Sequence, residues 1–233
     1  MGVVAIVLLG VIGVVLAKNA NDSSTGLKIG DHWHAALGVN VCGNWLPSPP
    51  ETPRDSNGLI VRHGTDTYAG IHTHGDGLIH FEPEASDDTG SHATVGRYFN
   101  YNGWSLSQTS FAYDQGAKES NGNTCPAANG QPAAKGTLTW AVNGKEKTGN
   151  LAGYAPRNGD RIVLAFEPAG KNAASLGDPP STAALQQALN SSAPNSGVSQ
   201  TSPLTSSTPS TAAPGATPTT APAGAPASTT PTS

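Results

Sequence analysis

The clearest hydrophobic pattern of the chain lies between residues 32 and 42, where apolar and polar side chains alternate. Odd positions carry Trp, Ala, Leu, Val and Val, whereas even positions carry His, His, Ala, Gly, Asn and Cys. A period of two is typical of a strand that buries one face. The pattern therefore predicts a half-buried strand, with His32 and His34 together on the face opposite the apolar stripe.

A second strand pattern, over residues 71–81, predicts a hairpin that carries three more histidines. If the Gly-Asp-Gly sequence of 75–77 forms a three-residue loop, His72 lies opposite His80 and His74 lies opposite Leu78. All three imidazoles then share one face. A two-residue Asp-Gly turn would shift the register by one and send His80 to the opposite face.

Shorter apolar runs and turn signals predict the rest of the fold. A short helix with a serine cap is expected over 91–101. Three further strands are expected over 104–113, 137–142 and 161–166. Asn143-Gly144 predicts a tight hairpin after the second of these strands. The expected fold class is mainly β (α+β): a small antiparallel β domain with hairpins and one short helix, followed by a disordered tail.

Composition divides the chain into four parts. Residues 1–17 are an almost unbroken apolar run, predicted to be a signal peptide or a membrane anchor, and 18–25 form a polar linker. The His-rich β domain is expected over 26–170. Residues 171–233 are rich in Ser, Thr, Pro and Ala and are predicted to be a disordered tail, in which 181–189 could form two helical turns.

Both interpretations of the N-terminal run place the rest of the chain outside the cytoplasm, either secreted or anchored by a single N-terminal helix. The termini would then contact the membrane or the cell wall. A net charge of −4 argues against a nucleic-acid partner, which requires a basic patch. Two cysteines in an oxidising compartment most simply form one disulfide, here Cys42–Cys125.

Five of the seven histidines fall on the two strand patterns and are the candidate metal ligands: His32, His34, His72, His74 and His80. Imidazole is the commonest protein ligand for ions such as Zn²⁺ and Cu²⁺, so we expect a divalent transition metal, Zn or Cu(II). Soft ligands for Cu(I) are missing, because the single Met is Met1 and both cysteines are expected to be oxidised. Mg²⁺ and Ca²⁺ prefer oxygen ligands.

The remaining polar residues near these motifs carry weaker signals. Asp31 and Asp76 could orient ligands, although a strand end and a turn explain them more simply. The acidic stretch from Glu82 to Asp88 is expected to be a solvated loop. His63 and His92 lie outside the pattern and are expected to be ordinary surface residues.

Several motifs in a fixed order resemble a known group of proteins. They are a His-x-His strand, a hairpin with paired histidines, a short helix and two Asn-Gly turns, at 32–34, 70–80, 93–99, 142–145 and 158–163. This order resembles a family of uncharacterised secreted or membrane-anchored prokaryotic domains that carry a Leu-His-Thr-His…Gly-Ile-Ile-His hairpin and a Thr-Leu-Gly-x-Phe-Phe helix. The resemblance covers residues 30 to 168. It implies the same architecture and the same five histidines, but no particular activity, and the two cysteines are not part of the family pattern.

Three functions are compatible with such a histidine cluster. The first is an extracytoplasmic metal-binding domain. The second is a zinc-dependent hydratase or hydrolase, which needs three protein ligands and an open position for water. The third is a cell-envelope scaffold or adhesin that holds a structural metal. The metal-binding domain ranks first because the sequence offers no convincing general base for an enzyme.

Overall fold

The computed structural model describes residues 26–127, 130 and 132–192. The predicted signal peptide or anchor, the linker and the part of the tail after residue 192 lie outside the described residues. Within the described ranges, no helix is both long enough and apolar enough to cross a membrane.

Strands dominate this part of the chain, as predicted. The strands are Trp33–Val41 (β1), Asn44–Trp45 (β2), Ile71–His72 (β3), Leu78–Phe81 (β4), Ser105–Leu106 (β5), Ser110–Ala112 (β6), Lys118–Ser120 (β7), Thr124–Cys125 (β8), Ala134–Val142 (β9), Lys145–Lys147 (β10) and Arg161–Pro168 (β11). The α-helices are Val95–Tyr101 (α1) and Thr182–Ser192 (α2). Short 3₁₀ helices cover Ser86–Asp88, Gly90–His92, Asp114–Gly116, Leu151–Gly153 and Ala173–Leu176.

The main sheet has the order β10-β9-β11-β1-β4-β3, with β2 paired to β1 and β8 paired to β9. A separate three-stranded sheet has the order β5-β6-β7. The mainly β class is confirmed, but the sheet is mixed because β1 and β11 run parallel, with Ala36 beside Arg161 and Val41 beside Phe166. Local hairpin signals could not predict this pair, since its strands are far apart in the sequence.

The core lies on the odd-numbered face of β1, where the sequence pattern places the apolar stripe. Helix α1 packs there through Val95, Tyr98 and Phe99, which are all buried. Thr94 caps this helix by accepting a hydrogen bond from the Arg97 N–H. The predicted serine cap was wrong, because Ser91 belongs to the preceding 3₁₀ turn.

The even-numbered face of β1 is also buried, so the prediction of a half-buried strand was wrong. Ala36 and Leu78 of the neighbouring strand pack against Leu185 of helix α2. A Cβ on Gly38 would lie 2.6 Å from the Trp45 ring and 3.1 Å from the Pro179 Cβ. The cover on this face therefore comes largely from residues 171–192, which the sequence assigns to the tail.

The β1–β2 and β9–β10 hairpins turn through related pairs of residues. Cys42 and Gly43 have φ values of 52° and 84°, and Asn143 and Gly144 have 52° and 73°. Two consecutive positive φ values are typical of the tight turn that matches the twist of a hairpin. The predicted disulfide is confirmed, because Cys42 is bonded to Cys125 and so ties the first of these turns to β8.

Helix α2 should be part of the folding unit. We expect Leu185→Ala to lower the free energy of unfolding by about 3 kcal/mol, because Leu185 is fully buried against the sheet. Urea denaturation followed by circular dichroism measures this change. Gln186→Ala, on the exposed side of the same helix, is the matched control and should change stability by less than about 0.5 kcal/mol. Equal effects of the two substitutions would show that the helix does not contribute to the stability of the sheet.

Candidate metal centre

The candidate centre is built on three adjacent strands, β1, β4 and β3. His80 of β4 is directly opposite His34 of β1 and directly opposite His72 of β3. The ring centroids are 4.8 Å apart for His34 and His80 and 5.6 Å apart for His72 and His80. The predicted convergence of these imidazoles is therefore present in the fold.

The loop between β3 and β4 sets this register. Gly75 and Gly77 have φ values of 86° and 79°, which glycine adopts without a steric penalty. Between them, the Asp76 Oδ1 accepts a hydrogen bond from the Leu78 N–H at 3.0 Å. The ladder between β3 and β4 ends at the pair His72–His80, so residues 73–77 connect the strands and the predicted pairing of His74 with Leu78 is not part of it. The register still places His80 on the same face as His72, as expected for the three-residue loop and not for the two-residue turn.

His74 and His32 extend the row of histidines at opposite ends. The rings of His72 and His74 are 4.8 Å apart, and those of His32 and His34 are 4.5 Å apart. Glu82 lies beside His32, with its Oε1 2.9 Å from the His32 Nε2. All five predicted histidines therefore lie in one continuous cluster, together with a carboxylate that the sequence analysis assigned to a solvated loop.

Potential ligand atoms in this cluster form two groups. In each group, one atom from every residue lies within 4.8 Å of the others. The first group consists of His72, His74, His80 and Glu82, and the second of His32, His34 and His80.

The hydrogen bonds of the first group define which nitrogens are protonated. His72 donates from Nδ1 to the Ala69 carbonyl at 2.9 Å, and His74 donates from Nδ1 to the Glu51 carboxylate at 3.2 Å. Carbonyl and carboxylate oxygens only accept, so the protons of the neutral rings are on Nδ1. When both rings are neutral, the Nε2 atoms of His72 and His74 both present lone pairs, and these atoms are 3.2 Å apart. Two nitrogens bound to one tetrahedral Zn²⁺ at about 2.0–2.1 Å would be about 3.3 Å apart.

His80 and His34 each offer a further unprotonated or unpaired nitrogen. The His80 Nε2 is 3.0 Å from the Asp76 Oδ2 and donates to that carboxylate. The His80 Nδ1 and the His34 Nδ1 are buried and have no hydrogen-bond partner among the described residues. Leaving a buried polar atom without a partner costs about 1–3 kcal/mol. These two nitrogens are therefore candidates to bind a ligand.

Burial keeps the central imidazoles neutral. Desolvation is the main reason that the pKa of His72 is lowered to about 4. Desolvation, helped by the neighbouring His80 and His32, lowers the pKa of His34 to about 4 as well. Metal ligation requires a neutral imidazole, and both rings have that form at neutral pH.

Two carboxylates orient the imidazoles by accepting hydrogen bonds from them. Hydrogen bonds from Arg54 and His74 lower the pKa of Glu51 to about 2, so Glu51 remains an acceptor. Burial alone would raise the pKa of Asp76, but the hydrogen bonds from His80 and from the Leu78 N–H outweigh it and lower that pKa. Carboxylates that accept from ligating histidines fix the tautomer and the ring direction.

Three acidic residues of the cluster carried weak or no signals in the sequence. Glu82 is two residues after His80 and directly follows β4, so its position on the same face as His80 could have been inferred from the alternation of side chains along a strand. For Asp76 the turn role was favoured over the orientation of a ligand, and its carboxylate accepts a hydrogen bond from His80. Glu51 carried no sequence signal, because it reaches His74 from a loop more than twenty residues away.

Other residues named from the sequence lie outside the cluster. Asp31 accepts from the Lys28 N–H, which agrees with a strand-end role. Asp88 is not solvated as predicted: it is buried and bonded to Arg62, Arg97 and Tyr101. His63 and His92 belong to neither ligand group.

A cavity of about 210 Å³ opens beside the second group. Its wall includes His32, Glu82, Tyr68 and Glu84. The Tyr68 ring centroid is 6.3 Å from that of His72. The carboxylates at this opening favour the approach of a cation.

The metal-free protein should lose stability as the pH falls from 6.5 towards 4. Because the folded-state pKa values of His34 and His72 are lowered from 6.5 to about 4, the unfolded chain binds more protons in this window. Stability is therefore fully present above pH 6.5 and falls with pH, at up to about 1.4 kcal/mol per pH unit for each histidine. Urea titrations between pH 7 and pH 4.5 measure the slope.

The double variant His34→Gln/His72→Gln should flatten this slope, and His92→Ala should leave it unchanged. A wild-type stability that stays constant between pH 7 and pH 4.5 would contradict the neutral, buried state of the two rings.

Comparisons of the chain with protein-family models, with curated proteins and with solved structures found no match. The family resemblance noted in the motifs therefore stays a prediction. Support for a function comes from the geometry of the histidines and their carboxylate partners.

Proposed function

We propose that this chain is an extracytoplasmic metal-binding domain that binds Zn²⁺ or Cu²⁺ through His72, His74 and His80, with Glu82 as the fourth ligand. The observation that carries the proposal is the 3.2 Å separation of the Nε2 atoms of His72 and His74. A proton between the two Nε2 atoms makes this contact a hydrogen bond, and a metal ion between them makes it a pair of ligands. A metal ion satisfies both lone pairs at once.

The donor set favours a borderline divalent ion. Three imidazoles and one carboxylate match the nitrogen and oxygen ligands of Zn²⁺ and Cu²⁺. Cys42 and Cys125 are consumed in the disulfide and supply no thiolate. Mg²⁺ and Ca²⁺ would find too few oxygen ligands in this group.

Four protein ligands favour stable binding over catalysis at this ion. A catalytic zinc site keeps one position open for water, whereas Glu82 is close enough to fill that position here. The disulfide supports an oxidising compartment and thus a location outside the cytoplasm. We expect the domain to remain folded when the metal is removed, unlike a scaffold held together by a structural ion, because a hydrophobic core that extends over β1, β11 and α1 contributes stability of its own.

Replacing His72 and His74 together by alanine should weaken Zn²⁺ and Cu²⁺ binding by at least about 100-fold, because two of four direct ligands are lost. Isothermal titration calorimetry on the full chain, stripped with a chelator, measures the change. The matched control is His92→Ala, which removes a histidine outside both groups. Unchanged affinity in the double variant would refute the proposed ligands, and metal-dependent hydrolysis of an ester or hydration of CO₂ would favour an enzyme instead.

Glu51 should affect metal affinity without contacting the ion. We expect Glu51→Gln to weaken Zn²⁺ binding by about 10-fold, because the amide holds the His74 Nδ1–H less firmly than a carboxylate does. Competition with a chromogenic chelator measures this effect. Arg54→Ala is the control, since it removes the other partner of Glu51 and leaves His74 in place. If both variants lose the same affinity, the effect comes from the loop and not from the orientation of His74.

A further inference from the structure

His32 and His34 are left unused by the proposed ion, although they belong to the same cluster. The two ligand groups share His80 and no other residue. One ion therefore does not account for the five histidines, and the second group requires an explanation of its own.

The strand order separates the two groups in space. The first group lies over β4 and β3, and the second lies over β1 and β4. Adjacent strands are about 4.8 Å apart, so ions over neighbouring gaps would be separated by about that distance. Established two-metal sites have ions about 3.5–4 Å apart, which is close to this spacing.

An independent observation concerns the His34 ring, which belongs to the second group. His34 is only 4% exposed, and its Nδ1 has no hydrogen-bond partner in the part of the chain that the structure describes. Its N–H backbone group and its carbonyl are both bonded, to Asn158 and Gly159. The strand thus holds the His34 ring firmly while one ring nitrogen stays unsatisfied.

Glu82 is placed to join the two groups. It is a member of the first group, and its Oε1 is also 2.9 Å from the His32 Nε2 in the second. A carboxylate has two oxygens and can bind one ion through each of them. His80 has a single free nitrogen, because its Nε2 is bonded to Asp76, so it can serve only one ion.

We infer that the cluster is a two-ion centre, in which a second Zn²⁺ or Cu²⁺ is bound by His32 and His34 and is bridged to the first ion by Glu82. The inference rests on the proposed function, since the first ion is the one bound by His72, His74 and His80. His32 and His34 are the members of the second group that the first ion leaves free, and Glu82 joins them through its contact with His32. A four-coordinate ion bound by these residues keeps an open position, on the side of the cavity that His32 and Glu82 line. The second ion is therefore the one that an external ligand can reach.

Metal stoichiometry tests this inference. The full chain, stripped of metal, is titrated with Zn²⁺ and analysed by native mass spectrometry and calorimetry. We expect two ions per chain for the wild type and for His92→Ala, and one ion per chain for His32→Ala/His34→Ala. His32→Ala alone is a second variant that does not threaten the fold, because the His32 side chain is 54% exposed, and it should weaken the second ion selectively.

Cu²⁺ provides a second readout. Two Cu²⁺ ions about 5 Å apart or closer should give a coupled electron paramagnetic resonance spectrum with a half-field signal. His32→Ala/His34→Ala should convert it to the spectrum of an isolated Cu²⁺.

Each outcome distinguishes the two proposals. One ion in the wild type, lost in His72→Ala/His74→Ala, would overturn the two-ion centre and leave the proposed function intact. Two ions in both the wild type and His32→Ala/His34→Ala would overturn the assignment of the second site. No bound ion in the wild type would overturn both.

Discussion

The cross-strand register of β1, β4 and β3 is the constraint on which the candidate centre depends. His34, His80 and His72 face one another only because the three strands pair in this register. A slip of one residue would turn every side chain of a strand to the other face and disperse the imidazoles. The glycines at both ends of the Gly75–Gly77 loop and the Asp76 side chain hold β3 and β4 in place, so the loop acts on the chemistry of the site through the sheet.

Burial gives the cluster its second property, which is that its central imidazoles are neutral. The face that carries the histidines continues into Ala36 and Leu78, and helix α2 covers those two residues with Leu185. The histidines thus lie at the border between a dry interface and an open cavity. Carboxylates lie on the solvent-facing side of this border, outside the apolar interface. They accept hydrogen bonds from ring nitrogens of the histidines and so fix the tautomers.

Much of this arrangement could be predicted from the sequence because it depends on the alternation of side chains between the two faces of a strand. Alternation over 32–42 and the Gly-Asp-Gly loop were sufficient to place His34, His72 and His80 on one face of neighbouring strands, with His32 and His74 directly beside them. The parallel pairing of β1 and β11 could not be predicted, because no local turn specifies contacts between strands so distant in sequence. Helix α2 was underrated because a segment rich in Ser, Thr and Ala carries little hydrophobic signal, and a single leucine on it supplies the fully buried contact. The contact of Glu51 with His74 could not be predicted for the same reason as the pairing of β1 with β11, because the two partners are remote along the chain.

Helix α2 also has a mechanical consequence. It is the last described element before some forty further residues, so a force applied to the chain beyond Ser192 reaches α2 before it reaches any strand of the sheet. The contact of Leu185 with Ala36 and Leu78 is made by side chains alone, whereas β1 is bound on both sides by backbone hydrogen bonds. Tension would accordingly separate the helix from the sheet first, while the strands that carry the histidines keep their pairing. This separation would expose Leu78, which is two residues from His80. A pull on the C-terminal side would therefore act on residues next to the histidine cluster before it acts on the cluster itself.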